Sequence, residues 1–185
     1  MSYDLKIYFP HESFPYEEWN RILSLFNAEE RKPIAYEHGQ NKAEWVVLAE
    51  SRVGKGREPE IDPVTGETVW IRRSPVWIDL SATVPKLWGD CVPVGTRWSI
   101  NLDTSGGASA KAIWTQFAIP CFALSFIEGI TVHDCQWHRE DNMYSFQDAE
   151  AWAEFASLAV RKRTWIWARD LVEEGLMTEE GKVLL

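Results

Sequence analysis

Apolar and polar positions alternate at the start of the chain. Tyr3, Leu5, Ile7 and Phe9 are separated by Asp4, Lys6 and Tyr8, a period of two that predicts a strand with one buried face. Pro10 ends it. The period then changes. Ser13 is the expected cap of a helix with Pro15, Glu17 and Glu18 in its first turn, and Trp19, Ile22, Leu23 and Phe26 recur at helical spacing. Residues 28–43 are polar and read as a loop or a short second helix. Trp45 to Leu48 is a compact apolar strand, and Thr68 to Arg72 is its return. Residues 52–66, with the turn string Asp62-Pro63-Val64-Thr65-Gly66, read as a long exposed connection. A second strand pair is expected from Val76, Ile78 and Leu80 and from Arg97 to Leu102, because Pro85, Gly89, Pro93 and Gly95 interrupt the chain between them.

The turn Asp103-Thr104-Ser105-Gly106-Gly107 leads into the longest uncharged run, Ala112 to Ile127, 16 residues with Gln116 and Pro120 inside. A membrane-spanning helix needs about 20 apolar residues, so this run predicts a helix buried on several sides. Gly129 closes it, and Ile130 to His133 form the next strand. Ser145 and Asp148 resemble a capping pair before a helix presenting Trp152, Phe155, Ala156 and Ala159. That helix bends near Arg161-Lys162-Arg163. Gly175 stops the pattern, leaving an exposed tail.

The order β-α-β-β-β-β-α-β-α-α predicts an α+β fold, with a mainly antiparallel sheet and helices packed on one face. Removing one strand pair and the last helices leaves β-α-β-β-α-β, the ferredoxin-like (split βαβ) core. The expected organisation is therefore that core with an extra strand pair and C-terminal helices. One domain spans 1–185, and residues 146–185 form a helical extension packed on it.

Composition narrows the function. Hydrophobic residues make up 45% and charged residues 25% of the 185, as in soluble globular chains. The net charge is −9 and both halves are acidic. Such a field repels nucleic-acid phosphate and steers basic partners. The basic clusters Arg52–Arg57, Arg72-Arg73 and Arg161-Lys162-Arg163 are too small for a nucleic-acid stripe. The three cysteines, Cys91, Cys121 and Cys135, form no CxxC, which favours a reducing compartment. The first residues show no basic-then-apolar leader. A cytoplasmic protein without membrane or cofactor is expected.

Candidate chemistry is sparse. The segment Asp103 to Ser109 joins a strand end to a helix start, a geometry that suits an anion. Ser105 and Ser109 would add hydroxyl donors, but GxxxxGK[ST] and GxGxxG are both absent. A glycine turn with a capping serine explains the same residues. His133 and Asp134 would leave the sheet at the same end as Asp103. A His–Asp pair beside a serine could support base catalysis in a small hydrolase or transferase, although adjacent side chains on a strand diverge and no GxSxG occurs. His133, Cys135 and His138 match no usual zinc spacing, so no metal is expected. Glu128, at the end of the buried helix, is the one carboxylate whose position suggests a raised pKa.

Eleven tryptophans remain to be placed. Trp19, Trp45, Trp114 and Trp152 fall on apolar faces. Trp70, Trp77 and Trp98 would form an aromatic strip if they shared the second sheet face, covered by helices or by a ligand. In charge, size and lack of motif the chain resembles small acidic α+β proteins that act as binding or inhibitory partners, including immunity proteins of bacterial toxin systems. The leading expectation is a non-catalytic binding protein for a basic protein partner, anchored by Trp70, Trp77 and Trp137.

Overall fold

A computed structural model describes residues 3–33, 35–36, 39–40, 42–53, 59–82, 92–134, 145–164 and 167–185. They form an α+β structure with a mainly antiparallel open sheet and four helices. The strands are β1 (Tyr3–Phe9), β2 (Glu29–Arg31), β3 (Ala35–Tyr36), β4 (Gly39–Gln40), β5 (Ala43–Val53), β6 (Pro59–Ile61), β7 (Thr68–Ala82), β8 (Trp98–Thr104), β9 (Thr131–Asp134) and β10 (Ser145–Phe146). The helices are α1 (Tyr16–Leu25), α2 (Ala110–Phe126), α3 (Ala149–Thr164) and α4 (Ala168–Glu173).

The main sheet has the order β10-β9-β1-β8-β7-β5-β2, with β6 added to β7. β3 and β4 pair separately. β8 and β9 are both antiparallel to β1, which lies between them. They therefore run parallel to each other, and α2 makes the crossover.

Period-two alternation sorts the sheet into two faces. Leu5 lies opposite Leu102, Ile7 opposite both Ile100 and Val132, and Ile78 opposite both Leu102 and Trp45. These side chains are buried in one cluster, each contributing about 1.5–3 kcal/mol relative to exposure. The described helices dock on this face. Trp19 of α1 meets Phe9 and Trp45 edge-on, and Phe117 of α2 meets Tyr3. Trp152 of α3 stacks on Phe117 and meets Phe146 edge-on. Leu171 of α4 is buried in the same cluster.

One polar side chain crosses that apolar layer. Gln116, fully buried on α2, donates through Nε2 to the carbonyls of Tyr3 on β1 and of Leu102 on β8. Its Oε1 accepts from the Thr104 hydroxyl at 2.7 Å and, at 3.5 Å, from Arg163 of α3. Ser109 caps α2: its hydroxyl accepts from the Ala112 amide, and its own amide donates to the Ser74 hydroxyl. Pro120 lies inside α2, where it supplies no amide hydrogen.

Several local expectations change. Residues 68–82 form one strand, not the ends of two strand pairs, so both hairpins share β7. Pro75 is accommodated because β8 begins its pairing at Val76, leaving one flank of β7 unpaired there. Residues 29–31 form an edge strand on β5, and within the 52–66 connection β6 folds back onto β7. α1 starts after Pro15 with no side-chain cap, so Ser13 lies outside it. Asp148 caps α3, accepting from the Ala151 amide, whereas Ser145 belongs to β10. The tail is not exposed throughout. Met177 and Val183 are buried and bridge to each other, and the Leu184 carbonyl accepts from Trp114 Nε1.

Replacing Gln116 with Leu keeps the volume but removes its hydrogen bonds to two strand carbonyls and leaves the Thr104 hydroxyl without its acceptor. The expected loss is about 1–3 kcal/mol, the cost of an unsatisfied buried group. Urea unfolding of Gln116→Leu checks this; an unchanged midpoint would remove the clamp role.

Candidate functional site

The sheet face away from the described helices is polar, and strand register orders it into rows. One row runs Arg31, Glu44, Asp79, Asn101, Lys6, His133 and Ser145 across seven strands. The next runs Glu29, Val46, Trp77, Asp103 and Asp4. Four carboxylates, Glu44, Asp79, Asp103 and Asp4, thus gather on four adjacent strands. They come together because each occupies the polar phase of a strand whose apolar phase is fixed by the core.

Crowding shows in their protonation. Asp79 is pushed up to about 7, first by burial, then by a hydrogen bond to Glu44 and the charges of Glu44 and Asp103. Asp103 is pushed up to about 6, again first by burial, then by the charge of Asp4 and a hydrogen bond with it, partly offset by the Thr104 amide. The Oδ1 atoms of Asn101 and Asp103 are buried and, among the described residues, accept from no donor. Beside them Trp77 keeps 42% of its surface exposed, and Leu48 is exposed one residue pair further along β5. The result is an apolar prominence next to electron-rich oxygens that meet no donor among the described residues.

The residues singled out from the sequence are divided between the two faces. Trp77 and Asp103 are neighbours on the polar face. His133 is on that face too, opposite Lys6, but it is buried and packs edge-on against Tyr8. Burial, followed by the charge of Lys6, pulls its pKa down to about 4, so it is neutral at pH 7. Its Nδ1 has no hydrogen-bond partner among the described residues. Asp134, next in sequence, faces the helices and accepts from the Tyr3 hydroxyl. The pair therefore diverges, and β1 separates His133 from Asp103. Ser105 is exposed, and Ser109 is buried as the cap of α2. Among the described residues these side chains assemble no Ser–His–Asp relay.

Trp70 lies half-buried in the helix-side phase of β7. Trp98 is in phase with Ile100 and Leu102 and meets Phe14 edge-on. The aromatic strip does not form: Trp77 stands on one face, and Trp70 and Trp98 on the other. Trp137, Cys91, Cys135 and His138 lie outside the described residues. Glu128 is exposed in the turn after α2. Sequence reasoning passed over Glu44, Asp79, Asn101 and Asp4. The signal was present in Asp4 and Asp79, each alternating with aliphatic residues on a strand.

Among the described residues no group of three or more His, Cys, Asp or Glu is arranged to hold a metal ion. No described helix is long and apolar enough to cross a membrane. Comparison of the chain with protein families, with curated proteins and with solved structures gives no match.

Asp79 leaves a signature in stability. Its value in the fold lies above its ordinary 3.8, so the protonated form is favoured by folding. That contribution is complete below about pH 4 and is lost as pH rises through about 7. Asp79→Asn keeps the shape and can still donate to Glu44. Urea unfolding should show it more stable than the parent at pH 8, with the gap closing by pH 5. Equal gaps at both pH values would place Asp79 in an ordinary solvated site.

Proposed function

We propose that the chain is a non-catalytic binding protein for a basic protein partner, docked on the polar sheet face around Trp77. The observation that carries this reading is a pair of buried acceptors, Asn101 Oδ1 and Asp103 Oδ1, that meet no donor among the described residues and lie beside an exposed tryptophan. A lysine or arginine from the partner would supply the missing hydrogen bonds. It would also offset the burial and the neighbouring carboxylate charges that raise Asp79 and Asp103. Trp77 is the central anchor, in keeping with the enrichment of tryptophan among energetically dominant interface residues. The overall charge of −9 would speed encounter with a cationic surface and disfavour nucleic-acid phosphate.

The strand order supports a finer reading of the scaffold, in which β7, β8, β1 and β9 with α1 and α2 are a ferredoxin-like core extended at the β5 edge. An inhibitory role of the immunity type and a cytoplasmic location fit the same acidic binding face.

The test uses the full chain as bait in native lysate, beside Trp77→Ala and Asp103→Lys. The partner retained by the parent is identified by mass spectrometry, and its purified form is used in rapid-mixing experiments. The expected partner is basic. Its association should slow at least about tenfold between low and physiological salt, as for electrostatically steered pairs, and both variants should weaken it. An association rate indifferent to salt and to both substitutions would overturn the reading. Binding should also weaken as pH falls from 7.5 to 5, because protonation of Asp79 and then Asp103 removes the charge that the partner meets. Calorimetry in two buffers of different ionisation heat should show proton release near neutral pH.

A further inference from the structure

The opposite, helix-bearing side of the sheet carries a different feature. Arg72 and Arg163 are the charged lining of one cavity of about 320 Å³, completed by Trp167, Ile113 and the turn Gly106-Gly107-Ala108. In a chain of net charge −9, arginines usually find carboxylates. The next residue along β7 does: Arg73 points to the other face and pairs with Glu50 and Glu60. Among the described residues neither Arg72 nor Arg163 has a carboxylate within ion-pair distance. The cavity therefore concentrates two guanidinium charges, with Asp134 acting on Arg163 through its charge but, among the described residues, without an ion pair.

Both guanidinium groups are held by contacts that leave them charged. Arg72 donates to the Gly107 carbonyl and lies 5.3 Å from the Trp167 ring centre. Arg163 lies 3.9 Å above the Tyr3 ring. It donates one long bond to Gln116, at 3.5 Å. Each guanidinium has five N–H donors, so most remain for a ligand. Held by aromatic faces, the two forks are pre-organised for a planar or tetrahedral oxyanion. Ile113 and Trp167 supply an apolar wall. The cavity is at the small end of ligand pockets, which run from about 300 Å³ upward, and suits a single-ring body.

We propose that this cavity is a binding site for a small organic oxyanion, a carboxylate or phosphate head on a compact apolar body, with Arg72 and Arg163 holding the head against the wall formed by Ile113 and Trp167. The site lies on the other face from the partner surface around Trp77 and does not depend on it.

Isothermal titration with benzoate and with phenyl phosphate separates the two head groups, and benzamidine serves as a cation of similar shape. The expected result is one-to-one binding of at least one anion and no binding of benzamidine. Arg72→Gln should weaken that binding about tenfold or more, since a hydrogen bond to a charged group is worth about 1.5–3 kcal/mol. Arg163 is tied to Tyr3 and Gln116, so its replacement could unfold the chain. Gly107→Asp avoids this difficulty. Gly107 is exposed, and a β-carbon there meets only Arg72 Nη2 at 3.7 Å, an ordinary contact. The new carboxylate would occupy the Arg72 guanidinium and should abolish anion binding while leaving thermal unfolding unchanged. Failure of both anions to bind at millimolar concentration, or binding that survives both Arg72→Gln and Gly107→Asp, would overturn the site.

Discussion

A single amide holds the centre of the sheet to the helices. Gln116 reaches from α2 to carbonyls of β1 and β8 and receives the Thr104 hydroxyl. In the apolar layer the Thr104 hydroxyl would otherwise be desolvated without its acceptor, a situation that buried polar atoms rarely tolerate. The clamp acts where β1 enters between β8 and the strand parallel to it, β9. Sliding α2 along the sheet would break these bonds together. The crossover, the central strand and the packing of Phe117 on Tyr3 are thus tied to one side chain.

That clamp also organises what lies around it. Tyr3, whose carbonyl Gln116 holds, offers its ring to Arg163 and its hydroxyl to Asp134. Residues one position away in each strand point through the sheet to the acidic face. The pleat sorts the crowded groups: Glu44, Asp79, Asp103 and Asp4 gather on one side, whereas Arg72 and Arg163 line a cavity on the other. The contrast between Arg72 and Arg73 shows the rule in two consecutive residues. Strand alternation alone gives one a pair of carboxylates and the other a cavity.

Much of this was legible from periodicity. Tyr3, Leu5, Ile7 and Phe9 announced β1 because the core needs their shared phase, and the run around Phe117 announced a helix buried on several sides. Ser109 acts as the cap that the simpler reading of its loop required. Other features were hidden for physical reasons. β2 has no apolar pattern, since Glu29-Glu30-Arg31 is a strand only because β5 offers it an edge. β7 continues through Pro75 because the neighbouring strand ends there, a fact about β8 rather than about Pro75. Trp98 could not join Trp77 on one face, because it alternates in step with Ile100 and Leu102. The acidic rows draw on residues from position 4 to position 103, and only register brings them together. Divergence of His133 from Asp134, by contrast, follows from adjacency on a strand and could be read directly.

The outermost strand has a consequence for the chain among its own copies. β2 is three residues long, and all three are charged and exposed. It lies along β5, whose Trp45, Val46 and Val47 make one of the most apolar stretches of the sheet. Along Glu44–Val46 an intruding strand would have to dislodge this short charged cover or continue the sheet past two glutamates and an arginine. Short, charged borders of this kind discourage edge-to-edge polymerisation. A segment with almost no hydrophobic content thus serves as the gatekeeper of the most aggregation-prone sequence beside it.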